Sequence, residues 1–310
     1  MNPIKPFEPI VTENIPTGDN WIGQVKWDGT RILVYNDGTK RELYNRKLNN
    51  RSKQYPEILQ LDTYFHGENC ILDGEVISLR NGKPSFYDVM KRDRKKNIEN
   101  ISVLMEQVPI TYMIFDILYL NNSWLVDLPL RERQHLLKKV ISPTEHIQLV
   151  ENFIDKEALF QVCMQNDLEG VIFKDLDSTY KISGKDGKWK KKKKEMDLMA
   201  VVGGVSYRDN IVNSLHLGLY DDKGELVYIG SAGSGKLTAK DWRDITKVIT
   251  SIVISQAPFN RLPDVKGANW IRPALTVKIS FLEWTDANTL RHPVIESFVN
   301  MPIHDCVFPD

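Results

Sequence analysis

Cysteine is scarce in this chain of 310 residues, and Cys70, Cys163 and Cys306 form an odd set with neither CxxC spacing nor a nearby histidine cluster. That pattern argues against a disulfide framework or a zinc site and fits a reducing compartment. Net charge is missing as well: lysine plus arginine and aspartate plus glutamate stand at 41 each, so any contact with nucleic acid or anionic lipid must come from a local patch. Long hydrophobic runs are absent. No segment approaches the roughly 20 apolar residues that span a bilayer, and the leader MNPIKPFEPIVTENIPTG has no uninterrupted apolar stretch. The expectation is a soluble, cytoplasmic protein without membrane contact. What the chain does have is 42% hydrophobic residues, enough to core one large domain or two ordinary ones.

After the proline-punctuated leader, TRILVY and KRELYNR flank NDGT, whose Asn-Asp-Gly core predicts a hairpin turn. CILDGEVISL and TYMIFDILYL read as strands, whereas LPLRERQHLLKKVI and KEALFQVCMQN carry apolar residues at helical spacing. Strands and helices mix without strict alternation, which predicts an α+β architecture with antiparallel sheets and flanking helices. Eight lysines fall between Lys181 and Lys194, and the composition shifts there; the expected boundary separates residues 1–197 from 198–310. Beyond it SLHLGLY and ELVYIG meet across DDKG. ALTVKISF sets Leu275, Val277, Ile279 and Phe281 opposite Thr276, Lys278 and Ser280. One helix interrupts, with Thr238 as N-cap and Trp242, Ile245, Val248, Ile249 and Ile252 along one stripe. Short strands plus one helix suit a small all-β barrel of the OB type.

QVKWDGTRILVY concentrates Lys26, Asp28, Gly29 and Arg31 at the mouth of a strand. A hairpin entry with solvated charges would look the same. Lysine acts as a nucleophile only when neutral, which a free pKa of about 10.4 makes rare unless burial or neighbouring cations lower it. Glycine at 29 would let the backbone approach a bulky substrate. The lysine run KWKKKKK is by itself most simply a solvated face. In an extended strand Trp189, Lys191 and Lys193 point one way and Lys190, Lys192 and Lys194 the other. MKRDRKKN, residues 90–97, reads equally as a solvated helix end or a DNA-backbone contact.

Five segments, KWDGTR, LDGEVI, MIFDILYL, EGVIFKD and KWKKKKK, resemble in order the motifs of the covalent nucleotidyltransferase superfamily that contains ATP-dependent DNA ligases. LYNRKLNNRSKQYPEI, LGLYDDKGELVYIGSAGSGKLT and WIRPALTVKISFLEWTDANTLRHPVIESF resemble the ligase domain of bacterial end-joining DNA ligases, so the likeness covers roughly residues 20–300. It implies a nucleotidyltransferase domain followed by an OB-fold domain, with no polymerase, nuclease or helical DNA-binding module before the first motif. By this resemblance Lys26 becomes attached to AMP, with Asp28, Arg31, Lys191 and Lys193 also catalytic. Gln24, Arg46, Glu75, Phe115 and Lys174 would bind ATP together with the two lysines; Gln24 stands where many relatives have glutamate, near the adenine amine. Glu169 and Asp73 would hold Mg²⁺ or Mn²⁺, while Lys190, Lys192 and Arg291 would face nucleic acid.

The implied activity is sealing of nicked double-stranded DNA by a monomer, through lysine-AMP and then DNA-AMP. One departure stands out: after Arg291-His292-Pro293 the family's Arg-x-Asp-Lys cluster is missing. The rival readings are an RNA ligase, a capping-type nucleotidyltransferase, or a noncatalytic OB-type nucleic-acid binder.

Overall fold

The computed structural model describes the whole chain except residues 96–100, 195, 234, 261–264, 266 and 310. It forms two compact units, Met1–Lys194 and Glu195–Asp310.

The first unit contains β1 (Glu8–Val11), β2 (Trp21–Val25), β3 (Thr30–Asn36), β4 (Arg41–Asn45), β5 (Cys70–Ile77), β6 (Leu79–Arg80) and β7 (Lys83–Pro84). Helices α1 (Phe86–Asp93) and α2 (Ile101–Gln107) follow, then β8 (Thr111–Leu120), β9 (Ser123–Trp124) and α3 (Leu130–Val140). It ends with β10 (Ile147–Leu149), α4 (Lys156–Gln165), β11 (Gly170–Asp175) and β12 (Lys185–Lys193). These strands make a four-stranded sheet in the order β1-β12-β11-β2 and a larger one in the order β10-β8-β5-β3-β4, with β9 beside β8. Pairing is antiparallel except for β1 on β12 and β10 on β8.

The run Ile32-Leu33-Val34-Tyr35 is continuously apolar because both faces of β3 are covered. Ile32 and Val34 join a core with Tyr64, Leu72, Ile114 and Leu137. Leu33 and Tyr35 point into a second core shared with Phe7, Ile22 and Trp189, where the two sheets face each other. Burying each such aliphatic side chain contributes roughly 1.5–3 kcal/mol. Helix α4 covers the outer face of the four-stranded sheet through Leu159 and Cys163 against Val171 and Phe173. The turn after β3 follows the Asn-Asp-Gly expectation, with Asn36 paired to Arg41 and Gly38 at φ +90°.

The second unit is built from β13 (Met196–Arg208), β14 (Ile211–Tyr220), β15 (Leu226–Ala232), α5 (Ala239–Ile249), β16 (Asn269–Phe281), β17 (Glu283–Trp284), β18 (Leu290–Arg291) and β19 (Val294–Val299). Its main sheet runs β15-β14-β13-β16-β19, all antiparallel. Val277, Ile279 and Phe281 enter its core as the alternation requires. Thr238 caps α5 in a reciprocal box with Asp241. The apolar stripe is narrower than expected: Ile249 is buried, but Val248 is 52% exposed because it has turned past the sheet-facing side.

The lysine run is neither a tail nor a loop, since it forms β12, an inner strand of its sheet. MKRDRKKN is solvated only in part: Lys91, Arg94 and Lys95 are exposed, whereas Arg92 and Asp93 are buried. Arg92 is fully buried and donates to Glu57 Oε2 at 2.5 Å and to the carbonyls of Gln54 and Val108, bracing α1 against the core. Lys96 and Asn97, at the end of that segment, lie outside the described residues.

Two buried cations carry separable stability consequences. Arg133 and Asp116, both 0% exposed, form a bidentate pair with both N–O distances at 2.8 Å, and Arg133 also donates to the Leu128 and Ser178 carbonyls. Removing one partner strands the other charge, so Arg133→Met should cost about 3–5 kcal/mol in urea unfolding followed by tryptophan fluorescence. A loss under about 1 kcal/mol would refute that reading. Lys174 is 2% exposed, with Nζ 4.0 Å from the ring centroids of both Phe115 and Trp189 and no hydrogen-bond partner among the described residues. Burial pushes its pKa from 10.5 down to about 7. The folded value lies below the unfolded one, so the penalty for burying the charge is full below that point and fades as pH rises toward the ordinary lysine range. Lys174→Met should therefore gain on the parent most at about pH 6 and progressively less up to about pH 10; a stability difference that is flat with pH would contradict it.

Candidate active site

A cavity of about 580 Å³ opens in the first unit, lined by the β2–β3 turn, the inward faces of β11 and β12, the 45–51 segment and α1. Lys26 lies in that turn, where its backbone N–H donates to the Gly170 carbonyl at 2.9 Å. Its ammonium donates to Glu169 Oε2, and Lys193 Nζ stands 3.1 Å from Glu169 Oε1. One carboxylate is thus shared by two lysines. Burial would raise the Glu169 pKa, but Lys26 and Lys193 hold it below the usual value. Lys191 lines the same cavity; burial first, then Lys193 and Lys26, lower its pKa. Burial pushes Glu75 up to about 8 against the pull of Lys26 and Arg31, with Glu169 and Asp28 adding to the rise. Four of the residues expected to act together, Lys26, Glu75, Lys191 and Lys193, therefore lie within one electrostatic neighbourhood, and half-buried Asp28 borders it.

Phe115 exposes part of its ring to the cavity, backed by Lys174 and by Arg31, whose guanidinium carbon is 5.1 Å from the ring centroid. Arg31 is not a loose cation. It holds Asp73 bidentately at 2.8 and 2.6 Å, donates to the Phe7 carbonyl at 2.7 Å and reaches Tyr180 Oη at 3.3 Å. Arg31, for which a catalytic role is expected, lines the cavity and spends most of its donors on these partners. The metal role expected of Asp73 is corrected. The carboxylate is fully buried and accepts from Arg31 and Tyr180, so no oxygen is turned to a cavity metal. Gly29 borders the cavity and is also required by the fold, since a Cβ there would sit 2.0 Å from the Val76 carbonyl.

β12 keeps the alternation read from the sequence. Trp189 and Lys191 line the cavity, while Lys190 and Lys192 lie over the rings of Trp21 and Phe160 at 4.9 Å on the α4 side. Lys192 also donates to the Glu13 carbonyl at 2.6 Å. Lys190 and Lys192, for which a nucleic-acid role is expected, thus lie on the face away from the cavity, each beside an aromatic ring of the protein. Arg46 borders the cavity and is 59% exposed, with Glu8 at 3.7 Å. In the second unit, Arg291 pairs with Glu283 at 2.6 Å across β17 and β18.

Sequence reasoning missed Ile172 and the wall made by Arg51, Met90 and Arg94. Ile172 was within reach, because it alternates with Lys174 on β11 and must share its face. The wall was not, since it depends on how α1 docks. Among the described residues no group of three His, Cys, Asp or Glu is arranged to hold a metal ion, and no helix is long and apolar enough to cross a membrane.

Residues 4–193 match the family model for the ATP dependent DNA ligase domain, and residues 208–298 that for the ATP dependent DNA ligase C terminal region. A DNA ligase from Thermococcus fumicolans is 30% identical over 274 residues, covering 81% of this chain and 48% of its own length. One from Archaeoglobus fulgidus is 32% identical, covering 74% of this chain and 43% of its own. The chain thus spans about half the length of the curated relatives it matches. In fold it is similar to a mycobacterial DNA ligase D complexed with ATP and MES (24% identity, 99% and 98% coverage, TM-score 0.53). It is also similar to a Lig E DNA ligase (16% identity, 94% and 99% coverage, TM-score 0.61). The architecture is accordingly a nucleotidyltransferase domain followed by an OB-like domain, and the chain belongs to the ATP-dependent DNA ligase family.

Proposed function

We propose that this protein seals nicks in double-stranded DNA, using ATP and a covalent AMP on Lys26. The observation that carries the proposal is the placement of the Lys26 ammonium on Glu169, which it shares with Lys193, at a cavity lined by Lys26, Lys191 and Phe115. Phe115 and Ile172 offer apolar surfaces for the base, Glu75 a carboxyl for the ribose, and Lys191 and Lys193 cations for the phosphates. Nζ of Lys26 attacks the α-phosphorus, a P–N bond forms, pyrophosphate leaves, and Glu169 Oε2 is the atom placed to take the amine proton. An oxygen of the nick's 5′-phosphate then attacks the same phosphorus, the P–N bond breaks, and Lys26 regains its proton. Finally the 3′-hydroxyl oxygen attacks the 5′-phosphate and AMP departs. Positioning and cationic stabilisation supply most of what such transfers need.

Glu169 is the carboxylate that would hold a Mg²⁺ or Mn²⁺ ion, once bound phosphates draw Lys26 and Lys193 off its two oxygens, because one carboxylate plus substrate phosphates is an ordinary magnesium arrangement. Bound there, it would offset phosphate charge. Arg46 at the cavity rim would meet the nucleotide, and Arg291 in the OB-like domain would meet DNA backbone. A noncatalytic binder has no use for a lysine held on a carboxylate inside a base-sized cavity, and the match to the ligase C-terminal model disfavours RNA-ligase and capping readings.

Intact-mass measurement after ATP treatment should show one added adenylate on the parent and none on Lys26→Ala. Lys26→Arg should be equally inert, since guanidinium does not deprotonate. An adduct that survives in Lys26→Ala would remove the assignment. Phe115→Ala should weaken ATP use by about 1–3 kcal/mol, the worth of a base–aromatic stack, measured as kcat/KM for self-adenylation; an unchanged value would take Phe115 out of the base site.

A further inference from the structure

Lys174, on β11, is a buried cation that the protein leaves without a counter-ion. It lines the cavity at 2% exposure, its Nζ lies 4.0 Å from the ring centroids of Phe115 and Trp189, and it has no hydrogen-bond partner among the described residues. The charged groups facing it come from four other elements. Asp73 on β5 is held bidentately by Arg31 on β3, and Asp116 on β8 is held bidentately by Arg133 on α3. Each pair is neutral as a unit, so the pull of the two carboxylates on Lys174 is opposed by the two arginines. Burial then prevails and takes its pKa down to about 7. A buried polar group with no partner calls for an account of what completes it. Neither carboxylate is open to Lys174, since Asp73 also accepts from Tyr180 and Asp116 from the Ile117 amide. The missing negative charge has to arrive through the cavity.

We propose that a bound polyphosphate nucleotide is that counter-ion, and that its binding draws a proton from solvent onto Lys174. This rests on the reading that the cavity takes ATP. Lys174 is already closed to water, so a ligand settling against Phe115 adds almost no desolvation to the ammonium and contributes mainly negative charge. Inside a protein such charges act on one another over several ångströms, with little screening by salt. The occupied cavity therefore holds the ammonium, whereas the empty one, at and above neutrality, holds much of the amine. Lys174 acts from behind Phe115 through charge alone, and its contribution grows with the charge of the ligand. A triphosphate gains more from it than a monophosphate, and a nucleoside gains nothing by this route. The sign of the pH dependence follows. Below about pH 7 the proton is in place before the nucleotide arrives; above it, each pH unit lowers affinity by up to about tenfold until the raised pKa of the occupied state is passed. Glu75, pushed up to about 8 in the same cavity, works in the same direction, because its ionisation sets a negative charge against the phosphates.

The test is calorimetric binding to the full chain of an ATP analogue with a methylene bridge between the α- and β-phosphorus, which cannot release pyrophosphate. Two buffers of different ionisation enthalpy give affinity and proton uptake together. Glu75→Gln removes the second titrating group and serves as the background. In that background affinity should fall about tenfold between about pH 7 and about pH 9, with a fraction of a proton taken up. Adding Lys174→Met, which keeps an unbranched chain between the two rings, should flatten the slope and abolish that uptake. Lys174→Arg carries a charge that does not titrate, so it should bind as tightly at the higher pH as at the lower. Adenosine should show neither slope nor proton uptake in any of these proteins. The proposal is overturned if Lys174→Met keeps the slope and proton count of its background. It is equally overturned if methionine weakens the analogue and adenosine by one common factor at every pH, which is what a purely structural role gives. If the analogue binds while ATP labels no lysine, the covalent reading fails alone and the proton count still judges Lys174. If the analogue does not bind at all, the reading of the cavity as a nucleotide site fails, and the proposal with it.

Discussion

The Arg31–Asp73 pair is the constraint on which the first unit depends. Asp73 lies on β5 and Arg31 on β3, adjacent strands of one sheet. Their remaining valences reach Tyr180, on the segment leading into β12, and the carbonyl of Phe7 just before β1. A charged pair this deeply enclosed is costly to desolvate and is tolerated only when every donor and acceptor is met. Meeting them fixes how the two sheets face each other. Phe115, Trp189 and Lys174 then stack around the guanidinium, and the cavity is the space left above them.

The electrostatics above that floor follow from crowding. Glu169 sits among Lys26, Lys191 and Lys193, three ammoniums to one carboxylate, so the group carries two positive charges that no carboxylate among these four offsets. An anion with several oxygens relieves that excess better than any side chain within reach. Glu75, held partly protonated near neutrality, adds little opposing charge. The site is thus attractive to polyphosphate even though the whole chain is neutral, because attraction is set by the few groups within a screening length of about 8–10 Å and not by the total.

Much of this was legible in the sequence. The spacing of Lys26, Asp28 and Arg31, the alternation in β12, the Thr238 cap and the β3–β4 turn all express local rules of period and turn chemistry, and the order of motifs fixed the fold class. What was not legible depended on partners distant in sequence. Nothing around Arg31 says that Asp73, 42 residues on, will absorb its charge. Arg92 sat in a run of charges that composition reads as solvated. Lys190 and Lys192 were rightly placed on the outer face, yet the aromatic rings that cover them come from β2 and α4. Sequence pattern says which way a side chain points; tertiary docking decides what it meets.

The position of β1 gives the proline-rich leader an unexpected importance. Glu8–Val11 pairs in parallel along β12, with Thr12 adding a bond to the Lys191 carbonyl at 3.0 Å, so the strand that carries the lysines has a neighbour on each side. Without those few residues β12 would become the rim of its sheet, a row of open amides and carbonyls free to accept a strand from another molecule. The leader therefore acts as a hem. Trimming the chain to the first motif would leave every cavity lysine in place while giving the protein a route to self-association and the lysine strand freedom to peel.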